Sequence, residues 1–374
     1  MTDTELPQSD MLAGVPHPRD SKTLFGQNLA EEDFLRAVNS KRLHHAWLIT
    51  GPKGIGKATL AWRAARFILI NSKTWVASAS SSERSYTSLD VNADDPINNR
   101  INASSETGLF ALRRNYDKDK KRFQNNITVD EVRKLKNFFS LSSTDGSWRV
   151  VIIDSVDDMN VNSLNALLKS LEEPPQNCIF FLISHNSSKL LPTVRSRCRT
   201  LNCLKLDPEA MENALKNSDI NMEGLGGIIT LADGSVGGAV NLKRQNALEI
   251  YSSLLETVKT FPNLDGHLAS TLSEKASTRG ENQNFDTFIN LFEVLTSRLA
   301  LAGLGMLNQE IIKNEKSILT RLSNSVYHAQ EWARVLEEQG RRLNYGKQVN
   351  IDASTLILDT IINMNKTSAN LREY

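Results

Sequence analysis

Gly51-Pro52-Lys53-Gly54-Ile55-Gly56-Lys57 sets glycines ahead of a lysine in the spacing GxxxxGK. Such a segment can wrap a phosphate chain. Glycines let backbone N–H groups turn inward, the N-terminus of a following helix adds partial positive charge, and the lysine reaches the terminal phosphates. The next residue would normally supply a hydroxyl to Mg²⁺. Here it is Ala58, which can coordinate nothing. Thr59 lies about 100° further round a helix and is poorly placed to replace it. A second candidate is Asp154, which closes the apolar run Val150–Ile153 and could support Mg²⁺ through its water shell; a plain hydrogen-bond acceptor role is an equal reading. Ser155 stands next, where hydrolysis would need an acid, and a serine is a poor acceptor for a water proton at neutral pH. Nucleotide occupancy of Gly51, Gly54, Gly56, Lys57 and Asp154 is left open by these residues, and hydrolysis is not expected.

The elements around these residues follow from periodicity. His45–Thr50 reads as a short apolar strand running into Gly51, and Leu60, Ala61, Ala64, Ala65 and Ile68 give the helix that follows Lys57. Ahead of them, 28–40 reads as a helix with Leu29, Phe34, Leu35 and Val38 on one face. Residues 72–108 are rich in Ser, Asn, Asp and Thr and read as a polar insertion, too long for a routine connection. Thr128 with Glu131 makes a capping box, and Val132, Leu135, Phe138 and Phe139 form the buried face of the next helix. Val150–Asp154 and Ile179–Ile183 read as strands buried on both faces of a parallel sheet. Between them lies a helix with the stripe Leu164, Leu167, Leu168 and Leu171, stopped by Pro174-Pro175. Strands alternating with helices predict a doubly wound α/β domain. Beyond Asp207 no strand is evident. Phe285, Phe288, Phe292, Leu295 and Leu299 keep helical spacing, as do Trp332, Val335 and Leu336, and Asp352 can cap a last helix. The expected division is a flexible arm (1–22), an α/β domain (23–206), a small helical module (207–248) and a helical C-terminal domain (249–374).

Composition narrows the function classes. The 374 residues carry 44 basic and 43 acidic side chains, a net charge of +1, which excludes a broadly polybasic nucleic-acid binder but not local basic patches. No apolar run is long enough to span a bilayer, and the acidic, polar beginning shows no secretory signal. Cys178, Cys198 and Cys203 form no CxxC pair, in keeping with a reduced, cytoplasmic setting.

Four segments together carry a resemblance: Gly26-Gln27; His44-His45-Ala46-Trp47-Leu48 leading into GPKGIGKA; LNALLKSLEEPP over Leu164–Pro175; and LLPTVRSRC over Leu190–Cys198. They resemble the bacterial clamp-loader subunits, AAA+ ATPases that open the sliding clamp of the replicative DNA polymerase. The resemblance is dense over about 24–205 and thinner to the C-terminus. It implies a RecA-like AAA+ domain with a parallel sheet, a helical lid module and an all-α collar domain. It also implies motor (gamma/tau) and delta subunits as partners, with the clamp and primer-template DNA engaged by the complex. Motor subunits keep a Ser/Thr after the loop lysine, an acidic pair on the second strand, and an arginine in a GSxR segment. This chain has Ala58, Ser155 and Gly237 there, a pattern similar to the family's non-hydrolysing stator type. Ser196-Arg197-Cys198 matches the family's SRC segment, whose arginine reaches a neighbour's ATP, so the resemblance makes Arg197 an arginine finger acting in trans. Without it, an internal salt bridge is the plainer reading of Arg197.

Family members often carry a four-cysteine zinc module after the first helix. Residues 72–127 contain no cysteine, so neither zinc nor any other metal is expected. Ser184 and His185 end a strand where the family places a sensor residue, and a satisfied structural role is expected of them here. Arg113, Arg114, Asp117, Lys118, Asp119, Lys120, Lys121 and Arg122 form a mixed run that reads as a solvated loop or as a phosphate contact. The competing functions are an active gamma/tau-like loader ATPase and, more remotely, an unrelated P-loop kinase or regulator.

Overall fold

The computed structural model describes residues 7–12, 14–77, 85–140, 148–218, 224–278 and 284–372. The chain divides into two compact units, Met1–Ile220 with Gly234–Gly237, and Asn221–Asp233 with Gly238–Tyr374. The segment 207–248, expected as one module, is shared between them.

The first unit is built on five parallel strands: β1 (Ala46–Thr50), β2 (Leu109–Arg113), β3 (Arg149–Asp154), β4 (Cys178–Ser184) and β5 (Arg199–Asn202), in the order β2-β3-β4-β1-β5. β1 and β4 are buried along their whole length. That is why they read as unbroken apolar runs rather than as an alternation. Seven helices accompany the sheet: α1 (Asn28–Asn39), α2 (Lys57–Ala77), α3 (Pro96–Asn102), α4 (Val129–Ser140), α5 (Val161–Glu172), α6 (Pro192–Arg195) and α7 (Pro208–Lys216). Successive strand side chains point to opposite faces. Ala46, Leu48, Val151, Ile153, Phe180 and Leu182 thus join α4 and α5 in one core, with Leu135, Phe138, Leu164 and Leu167. On the other face Phe34 of α1 packs edge-on to Trp47, ring centroids 5.1 Å apart. Register aligns Thr50 with Ser184 and Asn202, and Asp154 with Ile183 and Arg113. The polar residues therefore collect at the carboxyl ends of the strands, where α/β sheets bind ligands.

Two expectations need correction. The polar insertion does not begin at 72, because α2 continues to Ala77 and carries Trp75 into a cluster with Phe67, Tyr86 and Trp148. Further on, α3 has Asp95 as its cap, accepting from the Ile97 N–H at 2.8 Å, with Pro96 in its first turn. Residues 78–84 lie outside the described ones. Nor are residues 10–12 and 14–22 of the arm loose, while 1–6 and 13 lie outside the described residues. Asp10 accepts from Arg113 Nη1 at 2.9 Å with each carboxylate oxygen, and its carboxylate lies 3.3 Å from His17 Nε2. The His17 ring sits edge-on to Trp62, and Arg63 and Arg66 donate to the carbonyls of Lys22 and Arg19. The reason is electrostatic. Arg63 and Arg66 lie on α2 at 7% and 6% exposure, and buried guanidinium groups need acceptors that α2 itself cannot supply. Arm composition reads as loop; the arginines it must satisfy are distant in sequence.

The described part of the second unit is helical: α8 (Leu225–Ala232), α9 (Val236–Arg244, its first two residues belonging to the first unit), α10 (Ala247–Lys259), α11 (Gly266–Ser277), α12 (Asn284–Gly303), α13 (Glu315–Leu322), α14 (Val326–Gln348) and α15 (Ala353–Asn370). Phe288, Phe292, Leu295, Trp332, Leu343, Ile357 and Ile361 build its core. Asp352 caps α15 as its position implies, accepting from the Thr355 N–H at 2.9 Å. Glu315 is fully buried and accepts from the Tyr251 hydroxyl (2.6 Å), the Ile311 N–H (2.5 Å) and both Nε (2.5 Å) and Nη2 (3.0 Å) of Arg298. Among the described residues no helix is long and apolar enough to cross a membrane.

Asp10→Ala should strip Arg113 and His17 of their partner, cost about 1–3 kcal/mol in denaturant unfolding, and speed tryptic cleavage after Arg19. Unchanged cleavage would show that the arm is not held by Asp10.

Candidate functional site: a closed phosphate loop

The loop leaves β1 at Gly51, which adopts φ +139° against the Cys203 carbonyl; a Cβ there would lie 2.4 Å from that oxygen, so only glycine fits. Gly54, at φ +79°, is as constrained: its Cβ would meet Ser235 Oγ at 2.5 Å and Gly237 Cα at 3.0 Å. Lys57, the first residue of α2, is 3% exposed, and its ammonium donates to the carbonyls of Gly51 (2.7 Å) and Pro52. The next three carbonyls are also taken. Ser235 Oγ donates to Lys53 O at 2.8 Å, the Gly237 N–H to Gly54 O at 2.9 Å, and Gln27 Nε2 to Ile55 O at 3.0 Å. Gln27, buried at the start of the α/β fold, also clasps Leu204, donating to its carbonyl at 2.8 Å and accepting from its N–H at 3.0 Å. The loop is thus held by donors of this chain at each carbonyl from 51 to 55. Burial pulls Lys57 down to about 8, opposed by Cys203, Asp154 and Asp157.

Asp154 ends β3 beside this loop. Burial, reinforced by Asp10 and opposed by Lys57, pushes its carboxyl up to about 7. Ser155 is buried at 2%, and its hydroxyl has no hydrogen-bond partner among the described residues. Asp157 joins the ends of β3 and β4. It accepts from Ser184 Oγ at 3.0 Å and from the His185 N–H at 2.5 Å. Ser184 is accordingly satisfied within the fold, and burial lowers His185 to about 4, with Lys57 adding to the effect. No local signal marks Asp157, since its partners belong to the strand paired with its own. Among the described residues no cluster of His, Cys, Asp or Glu could hold a metal ion. The three cysteines are free, and burial pushes their thiols well above the usual range, Cys203 to about 11.

Arg197 follows α6. Its Nη2 lies 2.7 Å from a Glu172 carboxylate oxygen, and its Nη1 donates to Thr193 O at 2.9 Å. The internal salt bridge therefore exists, but it is half-exposed, and such pairs stabilise by about 0–1 kcal/mol. The charged run is partly consumed as well. Arg113 holds Asp10, and Arg114 pairs with Asp158 at 3.3 Å and lies over the Phe123 ring, while residues 118–122 are exposed on a small antiparallel ribbon (Tyr116–Asp117 with Arg122–Phe123).

A glycine-rich loop between an inner strand of a parallel sheet and the helix that begins with its lysine defines a P-loop α/β protein. Residues 26–207 match the family described as DNA polymerase III, delta subunit. The chain is 33% identical over 217 residues to the DNA polymerase III subunit delta' of Pseudomonas aeruginosa, covering 58% of this chain and 60% of that protein. It is 28% identical to the subunit gamma of Buchnera aphidicola subsp. Schizaphis graminum (62% and 60%), and 26% identical to the subunit delta' of Bacillus subtilis (60% and 61%). Over this region the chain is similar to the delta' and gamma subunits of bacterial DNA polymerase III. It spans about 60% of the length of the first two of these relatives.

The raised Asp154 carboxyl has a pH signature. The unfolded chain releases this proton near pH ~4, whereas the folded protein keeps it to about 7. Between those values the folded state binds more protons, so this group's contribution to stability falls as pH rises. Asp154→Asn should therefore raise the melting temperature more at pH 8 than at pH 4.5; a difference independent of pH would contradict the assignment.

Proposed function

We propose that the chain is a non-hydrolysing, delta-prime-type subunit of a DNA polymerase III clamp loader, active in replication as a stator. In this reading its C-terminal helices join a collar with gamma/tau motor subunits and delta, and residues 207–248 serve as the lid module. Its α/β unit presents Arg197 to the ATP of one motor neighbour while the complex places the sliding clamp on primer-template DNA. No zinc or other cofactor is required of this subunit.

The observation that carries the reading is the state of Lys57. The residue that would reach phosphates holds the carbonyls of its own loop, and the Gly237 backbone lies on Gly54 where the resemblance places a motor subunit's phosphate-sensing arginine nearby. Ala58 and Ser155 remove the metal hydroxyl and the general base at two further points. An active ATPase would have to replace all three losses. Relatives of the gamma and delta' types match at similar identity, so the departures in these residues, rather than overall similarity, separate the two functions.

Purified alone, the chain should show no ATP hydrolysis above background, and Lys57→Ala should leave that background unchanged; robust turnover abolished by that substitution would overturn the stator. In a reconstituted loader, Arg197→Ala should lower DNA- and clamp-stimulated turnover. A finger contributes on the order of 10³–10⁵ at the site it serves. Assembly, read by size-exclusion chromatography, should remain intact, and unchanged turnover would remove the finger.

A further inference from the structure

Arg197 carries a long side chain whose charge is useful only if its plane is fixed before a phosphate arrives. Two acceptors fix it. The Thr193 carbonyl, one turn back in its own segment, takes Nη1 at 2.9 Å, and Glu172, the last residue of α5, takes Nη2 at 2.7 Å. Ser196 Oγ stands at 3.5 Å from Nη1, the limit of a hydrogen bond. The placement of Glu172 is costly for α5 by itself, because a carboxylate at a helix C-terminus meets the partial negative charge of the last carbonyls. The guanidinium offsets both. Glu173 caps the helix and Pro174-Pro175 come next, denying the chain a further helical turn, so the carboxylate is held at a defined end. The pair is open to solvent, Arg197 at 34% and Glu172 at 47%, and the two close contacts use two of the five N–H donors of a guanidinium. The remaining donors can meet the oxygens of a phosphate brought by another chain.

We propose that Glu172 is the positioning residue of Arg197, orienting the guanidinium for a nucleoside triphosphate bound to an adjacent subunit. This rests on the reading of Arg197 as a finger. The carboxylate stays bound while the free edge of the guanidinium faces the polyphosphate, so Glu172 acts through orientation and touches no reacting atom.

The test uses the reconstituted loader, with DNA- and clamp-stimulated ATP turnover as the readout and size-exclusion and melting temperature confirming assembly and folding. Glu172→Ala should remove at least half of the turnover that Arg197→Ala removes, through kcat with KM for ATP unchanged. Glu172→Gln keeps an acceptor oxygen and should restore most of the loss. The double variant should be no worse than Arg197→Ala, since two residues acting as one unit are not additive. If Arg197→Ala lowers turnover and Glu172→Ala does not, Glu172 is a bystander. A double variant that loses more than Arg197→Ala would place the action of Glu172 elsewhere and overturn the proposal. If Arg197→Ala itself has no effect, the finger fails, and the positioning role falls with it.

Discussion

A single ammonium, that of Lys57, organises the carboxyl end of the sheet. A charge at 3% exposure must be paired or surrounded by acceptors. The loop provides them by folding its own carbonyls at Gly51 and Pro52 back over the lysine. That turn is available only because Gly51 lies against the Cys203 carbonyl where a side chain could not fit, and the carbonyls it does not use are taken by Ser235, Gly237 and Gln27. The result is a loop of phosphate-binding shape whose five carbonyls from 51 to 55 are all bonded within the chain.

The same constraint spreads to neighbouring charges. Asp154 sits close enough to Lys57 to be eased by it, yet burial and Asp10 favour its neutral form. Burial alone would also raise Asp10, but contacts with His17 and Arg113 more than reverse that, so the arm carries an ionised carboxylate into the unit. Arg63 and Arg66 finish the attachment through arm carbonyls. The charges at this edge are thus balanced within the chain, by the arm and by the loop's own lysine. Arg197 is half-exposed, and its two close contacts leave guanidinium donors unused.

Much of this was legible before the fold was known. The loop, the strands that end at Thr50 and Asp154, and the helical C-terminal half follow from local pattern, and the losses at Ala58, Ser155 and Gly237 are matters of residue type alone. Asp157 gave no signal, because its hydrogen-bond partners come from the end of the parallel strand alongside. The arm was misread because Pro, Asp and Ser signal a loop without saying what the loop covers. Glu315 and Glu172 gave no signal either, since an acid on a helix is ordinarily solvated and each is defined by its arginine partner.

The sequence by itself determined what this protein lacks: side-chain chemistry is local, and no fold can give alanine a hydroxyl or serine the basicity of a carboxylate. It also determined the sheet, because strands buried on both faces must be written in apolar residues. Only the tertiary structure decided which charges meet. Arg113 and Asp10 are 103 residues apart in the chain and 2.9 Å apart in space, and Lys57 could have faced a phosphate or its own loop with the same seven residues around it. Those choices turn on desolvation and distance, which exist only once the chain has closed on itself.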